Sequence, residues 1–311
     1  MSLRANLIRF GLRTLLKRSA RPGRSLAATR RQFAMMGRFV PRPPRGTATI
    51  ALDAGGVPAD SIATPASRAD RHVLYLHGGA FYVGSPALYR DFTWRIADAA
   101  RARVLCIDYR LAPEHPFPAA VDDAVTAYRW LLQGGATPAQ VAFVGDSAGG
   151  GLTFAALMRL RDEGTPLPAA AVAISPWTDL ALTGASLRAN AAAEAMLAVE
   201  ILPSAVAQYL AGADPRHPHA SPIYGNASRL PPMLILTGSD DVLLDDAMRM
   251  ADAMRKAGCD VEAEVWPRMF HAWPVLARIL PEGRAAVARI GAFLDRRLQP
   301  APEMPRPPAL G

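Results

Sequence analysis

A mostly parallel, eight-stranded β-sheet with helices on both faces and a helical cap is the α/β fold that this sequence predicts. From residue 71 onward, strand-like runs alternate with helical segments, the signature of parallel strands joined by crossovers. The runs read as apolar on both faces, as strands buried beneath two helical layers must be. The chain has 311 residues, half of them hydrophobic, enough to bury a large core in one domain.

The N-terminus comes first. Residues 3–17 favour helix: Ile8, Leu12, Leu15 and Leu16 share one face, and Arg9, Arg13 and Lys17 share the next, although Leu7 and Phe10 blur the separation. Pro22-Gly23 stops this helix, a second runs from residue 25 to 38, and Pro41, Pro43 and Pro44 break the chain. Residues 1–45 hold twelve Arg or Lys and no acid, leaving 23 basic against 27 acidic residues elsewhere. The net charge of +8 therefore belongs to this segment, and the body is mildly acidic. A lid packed on the body is the preferred reading of the basic helix over contact with anionic lipid. Phe33, Met35, Met36 and Phe39 read as pocket or core lining.

Two edge strands follow near 47–52 and 61–64, with Gly55-Gly56 between them. Strand runs then fall at 72–76, 104–107, 141–144, 170–174, 233–236 and 261–266. Helical segments at 86–102, 119–132, 152–162, 245–257 and 282–298 separate most of them. The interval from 174 to 233 is too long for a simple crossover. It contains an alanine-rich helical stretch at 187–202, a second helix at 204–211 and a Pro/His-rich loop. Because it leaves from the C-terminal ends of the strands, it can cover a crevice there. The organisation expected is cap helices at 1–45, a main domain at 46–298 with a cap insertion at 178–226, and a disordered Pro-rich tail at 299–311.

The chemistry centres on Val141-Ala-Phe-Val-Gly145-Asp146-Ser147-Ala148-Gly149. A strand runs into a tight turn and then a helix, with Ser147 at the apex in a strained backbone. Gly145 and Gly149 leave room where a side chain would meet a neighbouring element. This is the G-x-S-x-G nucleophile elbow. After the strand at 72–76 comes His77-Gly78-Gly79-Ala80-Phe81, whose small residues let backbone N–H groups turn inward. With the N–H of Ala148 they form a cradle for a tetrahedral oxyanion. His77 precedes this loop and is read as its brace, not as a base.

The acid should follow a later strand, where Asp240, Asp241, Asp245 and Asp246 are available. Asp245 and Asp246 open the next helix and are explained by its dipole. Asp240 and Asp241 lie in the loop, and the pattern does not choose between them. Among the histidines only His271, beyond the last strand, completes the order Ser…Asp…His of α/β-hydrolases.

These residues, together with Asp108-Tyr109-Arg110-Leu111-Ala112-Pro113-Glu114-His115-Pro116-Phe117-Pro118-Ala119, resemble the bacterial hormone-sensitive-lipase-like family of carboxylesterases over roughly 70–298. The resemblance implies the α/β-hydrolase fold, a triad of Ser147, Asp241 and His271, and structural roles for Asp108, Arg110 and Glu114. It places the family's Asp-Pro-Leu motif on Asp241-Val242-Leu243. Two positions depart from the family pattern: Ala80 replaces the third oxyanion-loop glycine, and Val242 replaces the proline after the acid.

The function expected is a serine esterase acting on short- to medium-chain acyl esters, with Ser147 as nucleophile, His271 as base and Asp241 orienting it. Gly79, Ala80 and Ala148 would hold the oxyanion, with Gly78 assisting. No metal or cofactor is needed, and the partner is a small-molecule ester. Lactone hydrolysis or N-deacetylation by the same triad is the alternative. Retention of His271 argues against a ligand receptor on this scaffold, since plant gibberellin receptors have lost that residue. No nucleic-acid motif accompanies the arginines, so no such partner is expected. No apolar run spans a bilayer, no signal-peptide pattern opens the chain, and Cys106 and Cys259 read as inert thiols; the location expected is cytoplasmic. The resemblance leaves homodimer formation through the last sheet edge open.

Overall fold

The computed structural model describes residues 3–16 and 25–299. The Pro22-Gly23 helix stop, Lys17 and residues 300–311 of the tail lie outside the described residues. Eight strands form one sheet: β1 (Ala48–Asp53), β2 (Pro58–Ala63), β3 (Arg68–Leu76), β4 (Ala102–Ile107), β5 (Val141–Asp146), β6 (Ala170–Ile174), β7 (Met233–Gly238) and β8 (Val261–Trp266). Their spatial order is β1-β2-β4-β3-β5-β6-β7-β8. β1 and β2 form an antiparallel hairpin, β2 pairs antiparallel with β4, and the remaining pairs are parallel.

Alternation sorts the side chains between two cores. On β5, Val141 and Phe143 face one layer, and Ala142 and Val144 the other. Each fully buried Val or Phe contributes about 1.5–3 kcal/mol, so this strand could not shift register by one residue cheaply. The helices in chain order are α1 (Leu3–Gly11, continued by a π-helical turn at Leu12–Leu16), α2 (Leu26–Arg38), α3 (Pro86–Ala99), α4 (Ala119–Gln133), α5 (Ala148–Asp162), the single turn α6 (Ser186–Ala189), α7 (Leu202–Leu210), α8 (Leu244–Lys256) and α9 (Pro281–Arg297). α4, α5, α7 and α8 contribute to one core, and α3 and α9 to the other.

The parallel register aligns the strand ends that matter. Leu76 of β3 pairs with Gly145 of β5, Asp146 of β5 with Ile174 of β6, and Gly238 of β7 with Trp266 of β8. The residues that follow each strand therefore leave the sheet at one edge. Side chains tie the N-terminal helices to that edge. Arg9 of α1 donates to Asp240 at 2.5 Å and to the carbonyls of Arg268 and Ala193 at 2.7 and 3.2 Å. Arg30 of α2 donates to the carbonyls of Tyr82 and Ala112 at 2.9 and 2.7 Å, and to both carboxylate oxygens of Glu114. That ion pair holds the Glu114 carboxyl down at about 2.

Several elements differ from the sequence expectation. The helix expected over 187–202 reduces to α6, a run of turns and a short 3₁₀ turn at Val199–Ile201. Glu194 explains this: its buried carboxylate accepts the N–H groups of Met196 and Leu197, an arrangement incompatible with continuous helix. Alanine's helix preference is worth under about 1 kcal/mol per residue, and a buried charge needing donors overrides it. α5 begins at Ala148, not 152, because its glycines are demanded by close neighbours (below). α3 ends at Ala99, since β4 begins at Ala102. β8 is not apolar on both faces. It is the half-exposed sheet edge, and its Glu262 and Glu264 pair with Arg289 of α9.

The N-terminal face also departs from expectation. α2 buries no residue; Met35 and Phe39 are 58% and 81% exposed, so they do not line a core. On α1, Arg9 points inward and is buried, whereas Leu7 and Phe10 stand in solvent. Asp245 and Asp246 do lie in the first turn of α8, but their carboxylates secure the insertion. Asp245 accepts the N–H of Ser186 at 3.0 Å, and Asp246 those of Thr178 and Asp179 at 2.9 and 2.8 Å. Burial pushes the Asp246 carboxyl up to about 8 despite those donors.

Candidate active site

Ser147 occupies the turn between β5 and α5 with φ +55° and ψ −122°, a conformation that costs on the order of 1–3 kcal/mol. Its backbone is fixed on both sides. The N–H donates to the carbonyl of Ile174 at 2.8 Å, and the carbonyl accepts from Gly151 and Trp177 at 3.0 and 2.9 Å. The glycines are steric requirements: a Cβ on Gly149 would lie 1.9 Å from the Leu76 carbonyl oxygen, and one on Gly145 2.2 Å from that of Gly149. Both obstacles are backbone, so neither can move aside cheaply.

Ser147 donates its hydroxyl proton to Nε2 of His271 across 2.8 Å. On the other side of the ring, Nδ1–H donates to the two carboxylate oxygens of Asp241 at 3.1 and 3.3 Å. This partner fixes the tautomer and leaves Nε2 as an acceptor. Ser147, His271 and Asp241 are 9%, 4% and 0% exposed, so the hydrogen-bonded series runs inward from the serine. Burial disfavours a charged imidazole, but Asp241, with Glu194 and Asp146 nearby, more than offsets it and holds the His271 pKa above its ordinary value. Asp241 also accepts the N–H of Leu243 at 2.9 Å, and its carbonyl accepts from Asn190 Nδ2 at 2.7 Å. Asp240 turns the other way, to Arg9.

The loop after β3 supplies the candidate oxyanion donors. Gly79, Ala80 and Phe81 have φ of +125°, +51° and +66°, three consecutive residues in the left-handed region. Carbonyl anchors hold them there: the Gly79 carbonyl accepts from Tyr82 and Val83 at 3.2 and 3.0 Å, and that of Phe81 from Ala112 at 2.9 Å. The Phe81 ring lies flat on Tyr209 of α7, centroids 3.8 Å apart. Among the described residues, the N–H groups of Gly79, Ala80 and Ala148 donate to no protein acceptor. Gly78 is different, and here the expectation needs correcting. Its N–H donates to Asp146 at 3.0 Å, so it is not available to an oxyanion.

Asp146 is the hidden anchor of this loop. Fully buried, it accepts the hydroxyls of Tyr75 and Tyr89 at 2.6 and 2.9 Å as well as the Gly78 N–H. Burial pushes its carboxyl up, against the pull of these donors. His77 stacks on Tyr109 at 4.2 Å, and its Nδ1 donates to the Gly78 carbonyl at 2.8 Å. Burial draws its pKa down to about 4, so it stays neutral and braces the turn. Arg110 donates to both oxygens of Asp123, stiffening the segment beneath.

The sequence reading missed Glu194 entirely. Its second carboxylate oxygen accepts the His271 backbone N–H at 3.0 Å, placing a further buried acid behind the imidazole. Burial and the neighbouring Asp241 charge push its own carboxyl up. The one available signal was a lone acid within Ala189-Asn-Ala-Ala-Ala-Glu194-Ala, which helical propensity masks. Among the described residues, no group of three or more His, Cys, Asp or Glu is placed to hold a metal ion.

A serine hydroxyl joined to an imidazole at the C-terminal edge of a mainly parallel sheet defines a class, the α/β hydrolases. Comparison with known proteins narrows this. The family model described as alpha/beta hydrolase fold matches residues 73–275. An acetyl-hydrolase of Streptomyces hygroscopicus is 54% identical over 230 residues, covering 74% of this chain and 77% of its own. An esterase of Acinetobacter venetianus is 34% identical over 239 residues, 76% and 78% of the two chains. The crystal structure of an esterase from the bacterial hormone-sensitive lipase family superposes with a TM-score of 0.91 at 44% identity, over 96% of this chain and 99% of that one. The chain belongs to the α/β-hydrolase family, within its bacterial hormone-sensitive-lipase-like carboxylesterases, and is a carboxylic ester hydrolase.

Proposed function

We propose that the chain is a serine carboxylesterase cleaving short- to medium-chain acyl esters through an acyl-enzyme. The observation that carries this is the unbroken relay from Ser147 Oγ to His271 Nε2 at 2.8 Å and from Nδ1 to Asp241 at 3.1 Å. Ser147 Oγ attacks the ester carbonyl carbon and passes its proton to His271 Nε2. The carbonyl oxygen becomes an anion held by the N–H groups of Gly79, Ala80 and Ala148. Each such donor is worth about 3–4 kcal/mol in the transition state. Collapse of the intermediate expels the alcohol, which takes the proton from His271. Water then attacks the acyl-serine, His271 takes its proton, and the carboxylic acid leaves. Asp241 accepts the Nδ1–H hydrogen bond throughout and stabilises the imidazolium.

Residues 1–45 and 178–226 act as the cap in this reading. Arg9 and Arg30 support that role, because each ties an N-terminal helix to a loop bearing catalytic groups. The name of the Streptomyces relative supports a short acyl group, and it keeps an acetylated amine as the second reading. Among the described residues, no helix is long and apolar enough to cross a membrane. A cytoplasmic location is part of the proposal, supported by two free cysteines, one of them buried.

Hydrolysis of p-nitrophenyl acetate through decanoate tests the reading. Turnover should peak at the short or middle chain lengths and fall on the order of 10⁶-fold in Ser147→Ala. Undiminished turnover in that variant, or a maximum at decanoate that requires an interface, would refute it.

A further inference from the structure

The cover of the crevice presents a surface that catalysis does not use. On α1, Arg4, Leu7, Phe10 and Arg13 recur every third residue and are all exposed, Leu7 by 66% and Phe10 by 70%. Residues three apart on a helix are neighbours, so they form one stripe. On α2, Arg31, Met35 and Phe39 repeat every fourth residue with Arg38 beside them, and Phe39 is 81% exposed. Both helices face inward through other residues: Ala5 and Arg9 on α1, Arg30 on α2. Their outward apolar side chains are thus not spare core residues awaiting burial within the monomer.

Charge identifies the occupant. Residues 1–45 contain no Asp or Glu, and the exposed Arg4, Arg13, Arg31, Arg38, Arg42 and Arg45 enter no ion pair among the described residues. The rest of the chain is mildly acidic, so the excess positive charge belongs to the N-terminal segment that includes these two helices. Bulky apolar groups interleaved with arginines match the boundary between anionic headgroups and acyl chains. A nucleic acid would use the arginines but leave Leu7, Phe10 and Phe39 without a partner.

We propose that α1 and α2 form an interfacial docking face that seats the protein on an anionic bilayer, with the crevice mouth toward the lipid. Arg9 links this face to Asp240, the neighbour of Asp241, and Arg30 links it to Tyr82, beside the Gly79–Phe81 turn. Docking therefore orients the site without using any catalytic residue as a lipid contact. Under the esterase reading above, the substrates reached this way are short- to medium-chain esters that partition between water and the membrane surface. The docking itself is measurable without hydrolysis.

The test is sedimentation of the full-length protein with phosphatidylcholine vesicles, with and without phosphatidylglycerol. Binding should require the anionic lipid and weaken at least tenfold between about 0.02 and 0.5 M salt. Each arginine held near the surface contributes about fivefold to partitioning. Arg4→Gln/Arg13→Gln/Arg38→Gln should therefore lose about a hundredfold, and Leu7→Ser/Phe10→Ser/Phe39→Ser at least tenfold. Both triple variants should turn over p-nitrophenyl acetate like the wild type, which reports that they fold. Absence of binding, equal binding to both vesicle types, or wild-type binding by the apolar triple variant overturns the proposal. A raised KM for the soluble ester with unchanged vesicle binding also overturns it, because those side chains would then line the substrate path.

Discussion

Around Ser147 main-chain bonds fix the geometry, whereas the N-terminal helices and residues 178–226, the proposed cap, are tied to the body largely through side chains. Ser147 is held by Ile174, Gly151 and Trp177 through main-chain bonds, and Gly145 and Gly149 are pressed against carbonyl oxygens. The N-terminal helices and the insertion depend instead on Arg9, Arg30, Asn190, Glu194 and Tyr209. A main-chain lattice leaves almost no freedom, which suits the role of nucleophile proposed for Ser147, because attack demands a closely fixed geometry.

Adjacent aspartates give the largest test of this contrast. Asp241→Asn removes the acceptor that fixes the His271 tautomer and should lower kcat by about 10⁴-fold. Asp240→Asn should lower it by less than about tenfold, while releasing Arg9 and speeding amide exchange in α1. Comparable kcat losses in the two variants would mean that the proposed cap is as rigidly coupled to the chemistry as the backbone around Ser147.

The Phe81–Tyr209 stack lets the proposed cap support the strained backbone of the candidate oxyanion turn. Tyr209→Ala should cut kcat by about tenfold, through misplaced Gly79 and Ala80 donors, with KM nearly unchanged. Tyr209→Phe keeps the ring and should restore kcat. A KM effect in Tyr209→Ala with kcat intact would assign the ring to substrate binding instead.

Glu194→Gln should give the smallest effect and the most specific one. In its proposed role as base His271 must be neutral, so activity should be lost as pH falls through its raised pKa. Removing a negative charge near the ring lowers that pKa, and the acid limb of kcat/KM should move to lower pH. Glutamine keeps one acceptor oxygen for the Met196 and Leu197 N–H groups but loses the second, which takes the His271 N–H, so a thermal melt is recorded beside the profile to report that the loop stays folded. An unmoved limb in the pH–rate profile would show that Glu194 acts through position alone.

Much of the fold was legible because its signals are local. Apolar runs alternating with helical segments mark the strands, and Gly145 records a contact within the turn itself, whereas Gly149 answers to the Leu76 carbonyl of a neighbouring strand. Where long-range contacts decide, propensity misled: residues 187–202 read as helix until Glu194 is seen to spend its carboxylate on Met196, Leu197 and His271. Likewise Met35 and Phe39 look like core residues in a list of hydrophobicities, and solvent exposure is a property of the packed molecule.

Sequence alone determined the strand–helix alternation, the elbow at Ser147 and the chain order that brings a late acid and a later histidine to one edge of a parallel sheet. Residue pattern left Asp240 and Asp241 open and the family resemblance pointed to Asp241; tertiary structure alone decided that Gly78 gives its N–H to Asp146 and which face of each N-terminal helix meets water. The division has a physical cause. Periodicity and backbone sterics act between near neighbours along the chain, whereas the partner of a side chain depends on register and docking between segments tens to hundreds of residues apart.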